Sequence, residues 1–106
     1  MSHIAIIVEF DTTPGKFADF EKIITTHAKR CRELEPGCLR FEVQYPIDDS
    51  GKVIDNKIVV NELYSDTSAV EFHRNTDRMA KLQEDVKGLV ENRHMILAKV
   101  SPDTQK

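Results

Sequence analysis

The sequence predicts an α+β domain of the ferredoxin-like kind, with element order βαββαβ and a four-stranded antiparallel sheet. Along 106 residues the apolar period switches between two and about 3.6 in that order, with no linker or repeat between the segments. The strand segments are also apolar on both faces, although the helices of such a fold cover only one.

Ile4 to Phe10 is rich in β-branched residues and reads as the first strand. Thr13 is placed to cap the first helix and Pro14 to open it, where a missing N–H is harmless. Phe17, Phe20, Ile24, His27, Cys31 and Leu34 then recur at steps of three and four, one stripe of an amphipathic helix that Pro36-Gly37 ends. Leu39, Phe41, Val43 and Tyr45 alternate with Arg40, Glu42 and Gln44 in a second strand. After the polar turn Asp48-Asp49-Ser50-Gly51, Lys57 to Tyr64 is the third strand. Ser65 or Asp66 caps a short helix carrying Ala69, Val70, Phe72 and His73, and a bend near Asn75 leads into Met79, Leu82, Val86 and Leu89. His94 to Val100 is the last strand. One domain is expected over residues 1–100, with a flexible tail over 101–106.

Both faces of three strands are apolar: Ala5 and Ile7 oppose Ile4, Ile6 and Val8; Val59 and Leu63 oppose Ile58 and Val60; Ile96 and Ala98 oppose Met95 and Leu97. Six or seven exposed apolar side chains represent about 10–20 kcal/mol of unrealised burial. That exceeds much of the entropy lost on association, so a homodimer through the open sheet face is expected.

Composition excludes several classes of function. With 15 Lys+Arg against 18 Asp+Glu, the net charge of −3 does not suit a phosphate-binding face, so no nucleic-acid partner is expected. No apolar run reaches the roughly 20 residues that cross a bilayer, and the first residues lack a signal-peptide pattern, so no membrane partner and a cytoplasmic location are expected. Cys31 and Cys38, seven apart and without histidines at zinc-finger spacing, read as small buried residues, with no metal site.

His27 lies on the apolar stripe of the first helix, facing the sheet. It reads either as a hydrogen-bonded core histidine or as a base. His73 also points inward, in a structural role or beside a substrate. Glu62 and Tyr64 share a face with Ile58 and Val60; a carboxylate there needs a partner, such as Arg40, or a function. Phe41 is core or pocket wall. A phosphorylated substrate would need two or three cations at one mouth, for which Arg40 and Lys29 are candidates.

Two segments carry a resemblance. Glu35-Pro36-Gly37-Cys38-Leu39-Arg40-Phe41-Glu42-Val43 resembles the glycine-to-strand junction of the antibiotic biosynthesis monooxygenase (ABM) family. Asn61-Glu62-Leu63-Tyr64-Ser65-Asp66 through Ala69-Val70-Glu71-Phe72-His73-Arg74-Asn75-Thr76 resembles its acidic-x-aromatic strand end and Phe-His helix. The likeness runs from Ile4 to Val100 and is nearest to quinol-monooxygenase-like and autoinducer-2 phosphate-processing members. It implies a dimeric α+β barrel and cofactor-independent oxygenation of a small aromatic or quinol compound. His27, Glu62 and Tyr64 would be the catalytic groups, with Phe41, Arg40, Phe72 and His73 at the substrate. Isomerisation of a small phosphorylated metabolite and a non-catalytic ligand-binding dimer are the alternatives. Haem-degrading relatives use an asparagine and a histidine where this chain has Val8 or Glu9 and Leu82 or Gln83, so no haem or other cofactor is expected. Many relatives carry Pro-His where this chain has Asp77-Arg78.

Overall fold

A computed structural model describes residues 2–105; Met1 and Lys106, at the ends of the expected domain and tail, lie outside the described residues. The elements are β1 (Ile4–Thr12), α1 (Phe17–Leu34), β2 (Cys38–Gln44), β3 (Lys57–Tyr64), α2 (Thr67–Arg74), α3 (Asp77–Asp85) and β4 (Val90–Lys99), followed by a one-turn 3-10 helix (Pro102–Thr104). The strands form one antiparallel sheet in the order β2-β3-β1-β4, the ferredoxin-like topology.

Several boundaries differ from the sequence reading for local reasons. The α1 helix opens at Phe17, not Pro14, because Thr13 to Lys16 close a turn in which Lys16 N donates to Thr13 O at 2.9 Å. The apolar stripe of α1 ends on buried Glu35, while Leu34 is exposed. The expected bend near Asn75 is a full break: Asp66 caps α2 through Ala69 N at 2.9 Å, and Thr76 caps a separate α3 through Met79 N. The last strand starts at Val90, four residues before His94, because the pairing with β1 extends through Arg93 and Asn92.

Register fixes the two faces. Ile6 pairs with both Glu62 and Leu97, and Val8 with Val60 and Met95, so these side chains share the helix-covered face. Ile7 pairs with Asn61 and Ile96, and Ala5 with Leu63 and Ala98, on the other face. Phe20, Ile24, Ala28 and Cys31 of α1 pack against Ile4, Ile6, Val8, Ile58, Val60 and Tyr64 as the core. The helices cover the sheet unevenly. They bury β3 and β1, whereas Met95 and Leu97 on the same face of β4 remain 46% and 48% exposed. The outer face also leaves Ile96 exposed.

The chain turns from α1 into β2 against the start of α2, and Gly37 makes that contact possible. A Cβ there would lie 2.4 Å from Ala69 Cβ and 3.1 Å from Ser65 Oγ. Gly37→Ala is therefore expected to lower stability by about 1–3 kcal/mol, read as a shifted urea midpoint. In an Ala69→Gly background the same change should cost clearly less, which a double-mutant cycle measures.

Candidate functional site

Four elements bring titratable side chains together under the helices. Buried His27, Cys31 and Glu35 follow one another at intervals of four on the inner side of α1 and its C-terminal cap. Buried Glu62 and Tyr64 stand two apart on β3, and buried His73 reaches down from α2. Arg78, in the first turn of α3, closes the group from above.

These groups form a connected chain of contacts. Tyr64 Oη donates to Glu62 Oε1 at 2.6 Å. The His73 ring stands between two carboxylates, with Nδ1 3.0 Å from Glu35 Oε1 and Nε2 3.9 Å from Glu62 Oε1. Arg78 donates from its terminal guanidinium nitrogen to Glu35 Oε2. Cys31 Sγ lies 3.4 Å from His27 Nε2 and 3.8 Å from His73 Nδ1. Glu35 thus has a cation and an imidazole as partners, while Glu62 has a phenol and a more distant imidazole.

Burial divides the protonation states. Desolvation, with some repulsion from Glu35, pushes the Glu62 carboxyl up to about 7, although the Tyr64 hydroxyl works against that rise. His27 is lowered to about 4 by desolvation and by the charges of His73 and Arg78, so its imidazole is neutral near pH 7. Burial, reinforced by Glu62, holds Tyr64 as a phenol, and burial with Glu35 keeps Cys31 a thiol. Cys38 is likewise pushed up to about 11 by burial.

Glu62 lines a cavity of about 120 Å³ between helices and sheet, walled by Ile6, Val8, Ile24, Phe41 and Leu82 and bounded at β4 by Arg93 and Met95. His27 and His73 also line it. A single carboxyl in an apolar cavity, protonated at acid pH and ionised just above neutrality, is suited to taking and returning a proton.

Of the residues singled out from sequence, His27, Glu62, His73 and Phe41 meet at this cavity, and Tyr64 supports Glu62. Arg40 does not join them. It pairs across from Leu63, after a register shift that follows Cys38, and projects from the exposed side of β2; Phe41 is the residue opposite Glu62. Phe72 also stays outside, 56% exposed, because α2 turns Val70 and His73 inward. Glu35 and Arg78 read from sequence as members of solvated charged faces. The spacing from His27 through Cys31 to Glu35 was the available sign that Glu35 continues the buried stripe. No one-dimensional pattern indicates that α3 swings Arg78 onto it.

The ligand atoms of His27, Cys31 and His73 lie within 4.8 Å of one another, the one grouping among the described residues that could hold a metal ion. The Arg78 guanidinium, bound to the adjoining Glu35, places a positive charge beside that grouping. No helix among the described residues is long and apolar enough to cross a membrane.

Comparison with known proteins supplies the family. No curated protein matches the chain by sequence. Among solved structures, PA3566 from Pseudomonas aeruginosa superimposes with a TM-score of 0.81 at 20% identity, covering 95% of this chain and 96% of that one. A Caulobacter crescentus protein provisionally assigned as an antibiotic biosynthesis monooxygenase gives 0.83 at 22% identity, covering 94% and 91%. A Nitrosomonas europaea protein with the same provisional assignment gives 0.82 at 19% identity, covering 97% and 94%. These likenesses carry the fold. The antibiotic biosynthesis monooxygenase family matches residues 3–85, from the start of β1 to the end of α3, which includes the whole Glu35–His73–Glu62–Tyr64 group. On that match, the chain belongs to the antibiotic biosynthesis monooxygenase (ABM) family.

Proposed function

We propose that this protein is a cofactor-independent monooxygenase of a small aromatic or quinol-type compound, with Glu62 as its base. The observation that supports this reading is the solitary carboxyl of Glu62 in an apolar cavity, held by Tyr64 and raised toward neutrality. Glu62 takes a proton from a phenolic hydroxyl or an activated ring CH2. The anion passes an electron to O2, and the resulting pair combines to a carbon-bound peroxide. That peroxide takes up a proton and loses water as a carbonyl forms. One oxygen atom stays on carbon, the other leaves as water, and the substrate supplies both electrons.

The other groups have distinct parts in this reading. Tyr64, a retained phenol, fixes one oxygen of Glu62, and His73 holds its ring between the two carboxylates. His27 is a candidate base in the sequence; neutral and turned to Cys31, it serves better as a polar spot on the wall beside Phe41, whose ring it meets edge to face at 5.5 Å between centroids. Arg40 and Phe72 have no part within one protomer. We further propose that residues 1–100 act as one domain in the cytoplasm, where Cys31 and Cys38 remain reduced. Its outer sheet face would be covered by a second copy, because Ile7, Val59, Leu63 and Ile96 leave that face apolar.

Glu62→Gln should lower oxygen uptake with a panel of hydroquinones by about 100-fold or more. Full activity in Glu62→Gln together with loss in His27→Ala would return the role of base to His27, and turnover in anaerobic buffer would rule out oxygenation.

Stability should also report Glu62. Its folded value of about 7 lies above the ordinary 4.5, so the folded state holds the proton longer and loses stability as pH rises between those values. His27 does the reverse, costing stability as pH falls from 6.5 toward about 4. The two slopes oppose each other in the wild type. In Glu62→Gln only the His27 slope remains, so urea denaturation should show the variant gaining up to about 3 kcal/mol on wild type between pH 4 and pH 8.

Sedimentation equilibrium at low micromolar concentration should find a dimer, and Ile96→Glu should shift it toward monomer. A wild-type monomer under those conditions contradicts the proposed pairing.

A further inference from the structure

A second opening adjoins the cavity and differs from it in character. Between α1 and α3 runs a cleft of about 440 Å³ whose lining includes Lys22, Thr26 and Arg30 at steps of four along α1, and Arg78 and Lys81 on α3. Among the described residues Asp85 is its only carboxylate, so four cations face one anion there in a chain whose net charge is −3. Lys22 and Arg30 form no ion pair among the described residues. Lys81 is bound to Asp85 at 2.9 Å, an exposed contact that contributes little and yields readily to a better anion. Arg78 has one terminal nitrogen on Glu35 and is partly exposed. His27 and Leu82 line both this cleft and the apolar cavity, so the two spaces share a wall.

We infer that the α1–α3 cleft is a binding site for an anionic group, a carboxylate or a phosphate, carried by the substrate whose aromatic body occupies the apolar cavity. This deepens the functional reading above and rests on it. The division of chemistry is physical. The cavity offers an aromatic ring apolar walls and one proton acceptor, and nothing there neutralises a charge other than Arg74 and Arg93 at its rim. The cleft offers two cations on one helix face and a guanidinium opposite, the charged donors that hold an oxyanion, while the Thr26 hydroxyl between them donates to Lys22 O at 2.9 Å. Of the cations named at the sequence level, neither Lys29 nor Arg40 lines this cleft. The positive charge was legible, but its meeting point required α3 to lie across α1.

Isothermal titration calorimetry with three probes tests the assignment: hydroquinone, gentisate, which adds a carboxylate, and hydroquinone monophosphate, which adds a phosphate. At least one anionic probe should bind about tenfold or more tightly than hydroquinone, and which one does so identifies the anion. In a Lys22→Gln/Arg30→Gln double variant that ratio should fall toward one. Independently of any variant, added salt should weaken the anionic probe in the wild type and leave hydroquinone little changed. Equal affinity for neutral and anionic probes, or an unchanged ratio in the double variant, overturns the cleft while the cavity reading stands. Failure of hydroquinone and both anions to bind overturns both.

Discussion

A carboxyl group on the apolar side of a sheet is the constraint around which this molecule is arranged. Glu62 occupies the inner face of β3 between Val60 and Tyr64, 5% exposed, where an unpartnered charge would be costly. Tyr64 satisfies one oxygen and His73 approaches it from α2. His73 is in turn held by Glu35, and Glu35 by Arg78. Each partner comes from a different element, so the polar chain ties the end of α1, the start of α3 and the body of α2 to one strand. Removing a single member leaves a neighbour buried without its bond, which costs more than the bond itself contributes.

Uneven helix cover gives that carboxyl its surroundings. The α1 helix lies toward β2, α2 stands over β3, and the inner face of β4 is left open at Met95 and Leu97. A cavity persists where the helices stop short of β4, and a cleft persists where α3 bridges back to α1. The chain breaks at Asn75 between α2 and α3, and the first turn of α3 carries Arg78 to Glu35. A tight turn at Gly37 sets the distance between α1 and α2 from the other side.

The architecture was legible because its signals are local. Alternation in Ile58 to Tyr64 assigned Glu62 and Tyr64 to the core face, and steps of three and four brought His27 inward. A cap at Ser65 or Asp66 was readable for the same reason, and the structure uses Asp66. What escaped the sequence depends on contacts between distant segments. Glu35 looked like one of several charged residues at a helix end, and its burial depends on His73 and Arg78, 38 and 43 positions away. Arg40, one partner the sequence offers for Glu62, pairs instead across from Leu63 after a bulge that follows Cys38. Phe72 followed the resemblance to Phe-His segments, yet the helical step that turns His73 inward turns Phe72 outward.

The protonation of one buried side chain decides between a merely structural polar core and one poised for chemistry. Infrared difference spectroscopy of the wild type against Glu62→Gln, followed through a pH titration, reads that proton directly as the carbonyl stretch of an un-ionised carboxyl. The stretch should persist through weakly acidic solution and vanish with a midpoint near 7. Loss of the band near 4.5, the ordinary value for such a group, would contradict the role given to Glu62.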